Sequence, residues 1–273
     1  MKLGLDHGAV VIAIGALVVL SIWPLPSSHG ADGEHEGDTG GGHGDGGQAA
    51  HWSYGGDDGP DHWADLSTNY HVCRDGRAQS PIDIRSGYTA GGARLDTQYA
   101  PSKLAVLNNG HTLQANYGPG NTLNAADKAF ELLQFHFHAP SEHWVDGQQY
   151  AAEVHFVHKA ADGELAVIGV LINEGAENAA LATFWNGAPG HAGEEAMPAG
   201  EMISAASILP ATTSYRHYKG SLTTPPCSEG VNWFVLDDTI TMSAAQIGVL
   251  SSAVGDNARP AQPLNARLIL NVE

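Results

Sequence analysis

Residues 131–144, ELLQFHFHAPSEHW, put three histidines and two glutamates within fourteen positions, with the first two histidines alternating with phenylalanines. On a strand, side chains two apart share a face. His136 and His138 therefore project together while Phe135 and Phe137 enter the opposite side, and the two imidazoles start from Cα atoms about 7 Å apart. A further histidine, His155, lies in AAEVHFVH (residues 151–158), beyond an Asp146-Gly147 turn. A tight turn centred on those two residues would set His138 opposite His155 on an adjacent strand, although Pro140 interrupts a regular ladder. His158 is three residues past His155 and faces the other way. His143 follows the Pro140 break, so parity leaves it open.

Three neutral imidazoles on one sheet face suit zinc, which takes such nitrogens at roughly 2.0 to 2.1 Å. Three protein ligands with a fourth position open is the catalytic arrangement. A ligating imidazole needs its other nitrogen held, and Gln134 and Glu153 each lie two residues from a ligand on that face. The competing reading is a packed or surface stripe of histidines. Two histidines alone would favour it; a third on a neighbouring strand with polar partners does not.

Working outward, the expected fold is mostly β: one domain around a large, mainly antiparallel twisted sheet, with few short helices and an irregular N-terminal arm. Segments 104–108, 111–117, 131–138, 150–159, 165–173, 215–221, 232–236 and 267–272 alternate or run apolar between Asn-Gly, Asp-Gly and Pro punctuation. The 34 glycines and 14 prolines fit such a loop-rich body. Residues 178–185 read as a short helix, and Ser243 with Gln246 forms a Ser-x-x-Gln capping box. Residues 51–83 lack periodicity and should pack through Trp52, Tyr54 and Trp63.

The formal net charge is −18, of which residues 31–50 supply five acids and no base, leaving −13 on residues 51–273. That field repels nucleic acid and anionic membranes. Residues 1–30 carry an apolar run over 9–23, short of the ~20 residues that span a bilayer. They read as an export signal cleaved near Gly30 or, uncleaved, as an anchor. Residues 31–50, rich in Gly, acid and His, read as a flexible linker, and His35 and His43 are assigned no site. Cys73 and Cys227 allow a single intramolecular pairing. In an oxidising compartment it would close a loop of about 150 residues, worth on the order of 2 to 4 kcal/mol; the alternative is two unpaired buried thiols.

From His51 to Arg267 the chain resembles the α class of carbonic anhydrases, through HWSYGG, QSPIDI, NNGHT, QFHFHAPSEH, AAEVHFVH, LTTPPCSEGVNWFVL and NARPAQPLNAR in order. The resemblance implies zinc on His136, His138 and His155, oriented by Gln134, Glu153 and the backbone carbonyl of Asn257. It implies a gatekeeper pair, Glu142 and Thr223, in which the carboxylate takes the hydroxyl hydrogen and leaves the Thr oxygen to accept only from a zinc-bound hydroxide. His111 matches the proton relay, an exposed imidazole that titrates near neutrality. Tyr54, Asn109 and Gln114 match the residues holding its water chain. Val157, Val167, Leu222, Thr224 and Trp233 match the substrate pocket, and Cys73 with Cys227 a disulfide of exported members. Only three residues separate His138 from Glu142, a connection associated with bacterial members, and Ala258 stands where an aromatic is common; the former bears on rim shape and dimer contacts.

The expected activity is reversible hydration of carbon dioxide to bicarbonate and a proton by zinc-bound hydroxide, with ester hydrolysis as a side activity. Sulfonamide-type and anionic inhibitors would bind at the zinc. The alternative is an inactive binding module of the same fold. The expected location is exported, periplasmic or extracellular, without nucleic-acid partners, and homodimerisation stays open.

Overall fold

Eight strands carry the main sheet: β1 (Val106–Asn108), β2 (Leu113–Asn116), β3 (Lys128–His138), β4 (Ala152–Ala160), β5 (Leu165–Glu174), β6 (Tyr215–Ser221), β7 (Glu229–Leu236) and β8 (Leu270–Val272). The computed structural model describes residues 50–273, apart from 86, 93, 126, 212 and 213. The expected signal and nearly all of the acidic linker lie outside the described residues. Spatial order is β1-β2-β3-β4-β5-β7-β6-β8, extended by Glu195–Ala196 at one edge and Tyr88–Thr89 at the other. Most pairings are antiparallel, as expected. The sheet is nevertheless mixed: β5 pairs parallel with β7, and β8 with Tyr88–Thr89. A local apolar pattern cannot reveal this, because strand direction is set by what lies between strands.

Both faces of the central strands are covered, so β4 and β5 are buried along almost their whole length and β5 reads as a nearly continuous apolar run. On one face Phe135, Phe137 and Phe156 pack with Phe184 and Trp185; the Phe137 and Trp185 rings are 4.6 Å apart. Each fully buried phenylalanine contributes about 1.5–3 kcal/mol of apolar burial. The other face holds a smaller cluster, including Ile82, Ile84, Val167, Tyr218 and Trp233, and His136, His138 and His155 project there.

The expected register needs correction. His138 pairs with Glu153, and His155 with His136, two residues from the pairing extrapolated through Asp146-Gly147. That turn exists, with φ 50° at Asp146 and 80° at Gly147, but it closes a separate small hairpin of Trp144–Val145 and Gln148–Gln149. Between β3 and the hairpin the chain leaves the ladder at Pro140, which has no N–H to continue it. An even offset preserves parity, so every side chain keeps its face. A bulge between Val157 and His158 falls after His155 and leaves its register with His136 intact.

The helix α1 (Ala244–Val254) begins with the reciprocal Ser243–Gln246 capping box. The helix expected over 178–185 is a 3-10 turn, Ala179–Leu181, followed by Ala182–Asn186. The arm contains short helical turns between 56 and 75 and packs as expected, with Trp52 5.2 Å from Trp63 and 5.4 Å from Tyr54. Cys73 and Cys227 are disulfide-bonded across 154 positions, tying the arm to the chain that follows β6.

Candidate metal centre

His136, His138 and His155 come together on the face opposite the phenylalanines, with ligand nitrogens within 4.8 Å of one another. The ladder does this directly. Gln114, His136 and His155 oppose one another on β2, β3 and β4. Gln134, Val157, Val167 and Trp233 do so on β3, β4, β5 and β7.

Each imidazole has one nitrogen committed. His136 Nδ1 donates to Gln134 Oε1 at 2.8 Å, and His138 Nδ1 to the Asn257 carbonyl at 2.7 Å. His155 Nε2 lies 2.9 Å from Glu153 Oε1, at an angle poorer than an ideal hydrogen bond. The remaining lone pairs belong to Nε2, Nε2 and Nδ1, and these converge. Burial drives all three imidazoles below the ordinary value, His138 to about 4, so they are neutral at neutral pH, the form that a metal takes. His138 Nε2 is buried without a hydrogen-bond partner among the described residues. A buried orphan nitrogen beside two others fits a metal, and a three-imidazole set fits zinc.

Glu153 anchors this arrangement from beneath. Its Oε2 accepts the backbone N–H groups of Glu142 and His143 at 2.9 and 2.8 Å, and its Oε1 accepts from His143 Nδ1 at 2.7 Å. His143 Nε2 then meets the Tyr218 hydroxyl at 2.7 Å, and Tyr218 meets Ser80 Oγ at 2.8 Å. The donors close consistently when the Ser221 N–H donates to Ser80 Oγ, Ser80 to Tyr218, and Tyr218 to His143. Although burial opposes it, the neighbouring His143 and His155 hold the Glu153 carboxyl well below its usual range. Gly169, opposite His155 on β5, makes room: a Cβ there would come 2.9 Å from Glu153 Oε1. His143 is thus a support, and its parity was unreadable because the ladder ends before it.

Glu142 is fully buried above the cluster. Its Oε1 accepts the Arg259 N–H at 2.9 Å, and its Oε2 lies 3.5 Å from His138 Nε2 and 3.9 Å from His155 Nδ1. Burial pushes its carboxyl up to about 7, while His155, the Arg259 N–H and the nearby Thr223 hydroxyl act against the rise, and its Oε2 is buried without a hydrogen-bond partner among the described residues. The Arg259 side chain bonds Gln79, Ser80 and the Cys73 carbonyl at 2.8–2.9 Å and lies over Trp63 at 5.5 Å. This buried guanidinium, which sutures the arm to the site, had no periodic signal in sequence.

Val157, Val167, Leu222 and Trp233 belong to one apolar cluster, with the Trp233 ring 4.8 Å from that of His155 and Thr224 half-buried after Thr223. Asn109 Oδ1 accepts from the N–H groups of His111 and Thr112, while Asn109 Nδ2 and Gln114 Oε1 are buried without partners among the described residues. Burial pushes Tyr54 up. His111 departs from expectation. It is half-buried, stacked on Trp52 at 3.7 Å and 9°, and burial, followed by His51, pushes it down to about 4. No pattern in NNGHT announces a partner some sixty residues earlier.

His158, assigned by parity to the opposite face, is fully buried with Nδ1 donating to the Ala166 carbonyl and Nε2 against the Tyr99 hydroxyl. Burial pushes it down to about 4. The unfolded imidazole, near 6.5, binds protons that the folded one refuses. Its contribution is present above about pH 6.5 and is lost as pH falls towards 4, up to about 3 kcal/mol. His158→Gln should flatten stability between pH 6.5 and 4.5 relative to the parent in denaturant titrations. Parallel pH profiles would refute this.

A family model described as eukaryotic-type carbonic anhydrase matches residues 58–273. The chain is 45% identical over 224 residues to a carbonic anhydrase of Pectobacterium carotovorum, covering 82% of this chain and 91% of that one. It is 43% identical over 228 residues to one of Nostoc sp., covering 82% and 86%. Its fold is similar to the α-carbonic anhydrase of Thermovibrio ammonificans solved with the inhibitor sulfanilamide. The TM-score there is 0.79 at 43% identity, over 82% of this chain and all of that one.

Proposed function

The chain belongs to the eukaryotic-type, or α, carbonic anhydrases, and from that premise we propose that it interconverts carbon dioxide and bicarbonate with zinc held by His136, His138 and His155. The observation that carries this is the convergence of three uncommitted imidazole nitrogens beside an apolar wall. Zinc bound there supplies Lewis acidity that lowers the pKa of water to about 7, an effect for which carbonic anhydrases are themselves the reference case. The protein's part is positional. Gln134, the Asn257 carbonyl and Glu153 fix ring orientation and tautomer. Glu142, as carboxylate, takes the Thr223 hydroxyl hydrogen, so the Thr223 oxygen offers only lone pairs to whatever donates in the site. Val157, Val167, Leu222 and Trp233 supply an apolar surface for uncharged carbon dioxide, with Thr224 at its margin. Sulfonamides, as found with the Thermovibrio protein, are proposed to compete at the metal, and a small activated ester to be a secondary substrate. The disulfide supports an exported protein. An inactive binding module is disfavoured, because every ligand and Glu142 with Thr223 are present.

The test is metal content and carbon dioxide hydration on the full chain. Stoichiometric zinc and hydration that is lost on chelation and restored by zinc are expected; a zinc-loaded chain without hydration would sink the proposal. His111 is proposed as the proton relay. Stacked on Trp52 it is a weak base, so carrying a proton near neutrality requires the ring to leave the stack and regain an ordinary pKa near 6.5. His111→Ala should lower turnover about 10- to 100-fold in weak buffer and little in concentrated imidazole buffer. Equal loss in both buffers, or none, would end the relay assignment while leaving the metal site intact.

A further inference from the structure

Asn257 holds the site through more than its carbonyl. The residue is fully buried in the loop after α1, and all of its polar groups are engaged. The backbone carbonyl accepts from His138 Nδ1 at 2.7 Å, and the backbone N–H reaches the Ala139 carbonyl at 3.2 Å. The carboxamide bridges separate stretches of chain. Oδ1 accepts the Ala139 N–H at 2.8 Å, while Nδ2 donates to the Phe137 carbonyl at 2.9 Å and the His111 carbonyl at 3.0 Å. One acceptor faces one N–H and two N–H bonds face two carbonyls, so the orientation of the amide is fixed by its surroundings. Two residues on, the Arg259 N–H donates to Glu142 Oε1.

A three-residue loop therefore touches the ligand His138, the acceptor Glu142 and the backbone of the relay His111. We infer that the Asn257 carboxamide is a positioning group that sets the ligand strand and the His111 segment relative to each other, coupling metal retention to proton export. The inference rests on the proposed function for the role of His111. Removing the carboxamide while keeping the backbone carbonyl leaves the His138 hydrogen bond nominally available, yet frees the loop that presents it. It also strands the Ala139 N–H and the Phe137 and His111 carbonyls, although Thr112 Oγ1 still donates to the Phe137 carbonyl.

Two variants test this in the full chain. Asn257→Leu keeps the branched outline of the side chain without its hydrogen bonds. Asn257→Asp keeps an acceptor for Ala139 but faces two carbonyls without a donor. Both should release zinc to a chelator about 10- to 100-fold faster than the parent. Both should also lose turnover in weak buffer roughly threefold or more beyond any loss in concentrated imidazole, because displacement of a reacting group is costly in rate. Variants that melt lower yet keep the parent's zinc release and buffer ratio would reduce Asn257 to a structural residue and overturn the inference. Faster release with an unchanged buffer ratio would overturn the coupling. Should neither variant fold, the carboxamide hydrogens of Asn257 in the wild-type chain should still show slowed exchange by NMR; exchange at the rate of an exposed amide would overturn the staple. That measurement needs neither zinc nor turnover, so its failure is distinct from failure of the proposed function.

Discussion

His136→Ala is expected to yield a folded chain that neither retains zinc nor hydrates carbon dioxide. Of the three imidazoles it is the half-buried one, and its committed nitrogen bonds only Gln134, so truncation strands little. The other two are almost fully buried and bonded into the loop at 257 and the Glu153 network. Two remaining nitrogens do not make a closed three-ligand face. Zinc affinity should fall by on the order of 10³-fold or more, well beyond the 10- to 100-fold typical of losing an outer partner. Hydration should fall at least as far, about 4 kcal/mol of barrier at 1.36 kcal/mol per decade. Gln134→Ala is the calibrating control, since it removes the outer partner alone and should cost about tenfold in affinity. Zinc content after exhaustive dialysis and hydration by stopped flow decide the matter. A His136→Ala chain with stoichiometric zinc and parental turnover would show the metal to be elsewhere.

Face, rather than register, was the legible quantity. The alternation of Phe135, His136, Phe137 and His138 determines which side chains meet the core and which meet the site, because period-two geometry is local. The partner of His138 depends on where the chain leaves the ladder, and Pro140 sends it into a separate hairpin before it returns. Strands survive the reading within a few residues for the same reason. The parallel contact between β5 and β7 does not, because nothing within either segment encodes what the intervening chain does.

The site divides similarly. Gln134 and Glu153 were legible as polar neighbours of His136 and His155, each sharing a histidine's face two residues away, and both lie against those rings. Asn257 reaches His138, and Thr223 and Arg259 reach Glu142, from chain about eighty to one hundred and twenty positions later, and only the family resemblance pointed to the first two. Arg259 was read by neither route. The lowered basicity of His111 was invisible too, since it arises from burial of the ring, with His51 nearby, where the arm lays Trp52 against it. Polar groups that act through tertiary neighbours leave no periodicity, whereas apolar faces do.

Glu153→Ala should damage fold and site together. Its carboxylate receives two backbone N–H groups and His143 Nδ1 and faces His155 Nε2, all in fully buried surroundings. Held well below its usual pKa, it is ionised at neutral pH, and that stabilisation is lost as pH falls through the folded value. Removing one partner of a buried charged network costs about 3–5 kcal/mol, since every donor left behind is desolvated without compensation. For a domain of this size that is roughly 6–20 °C in melting temperature. The functional loss comes through His155, whose ring loses the acceptor that fixes its tautomer, and zinc release should accelerate about 10- to 100-fold. Glu153→Gln separates the two effects. Its amide oxygen can still accept from the backbone pair, but its NH2 would face His143 Nδ1–H and His155 Nε2–H, donor against donor. Stability should therefore recover partly, while fast zinc release persists. Thermal melts and chelator-driven zinc release of both variants decide it: Glu153→Gln releasing zinc as slowly as the parent would mean that the charge and tautomer control ascribed to Glu153 are not what hold His155 to its task.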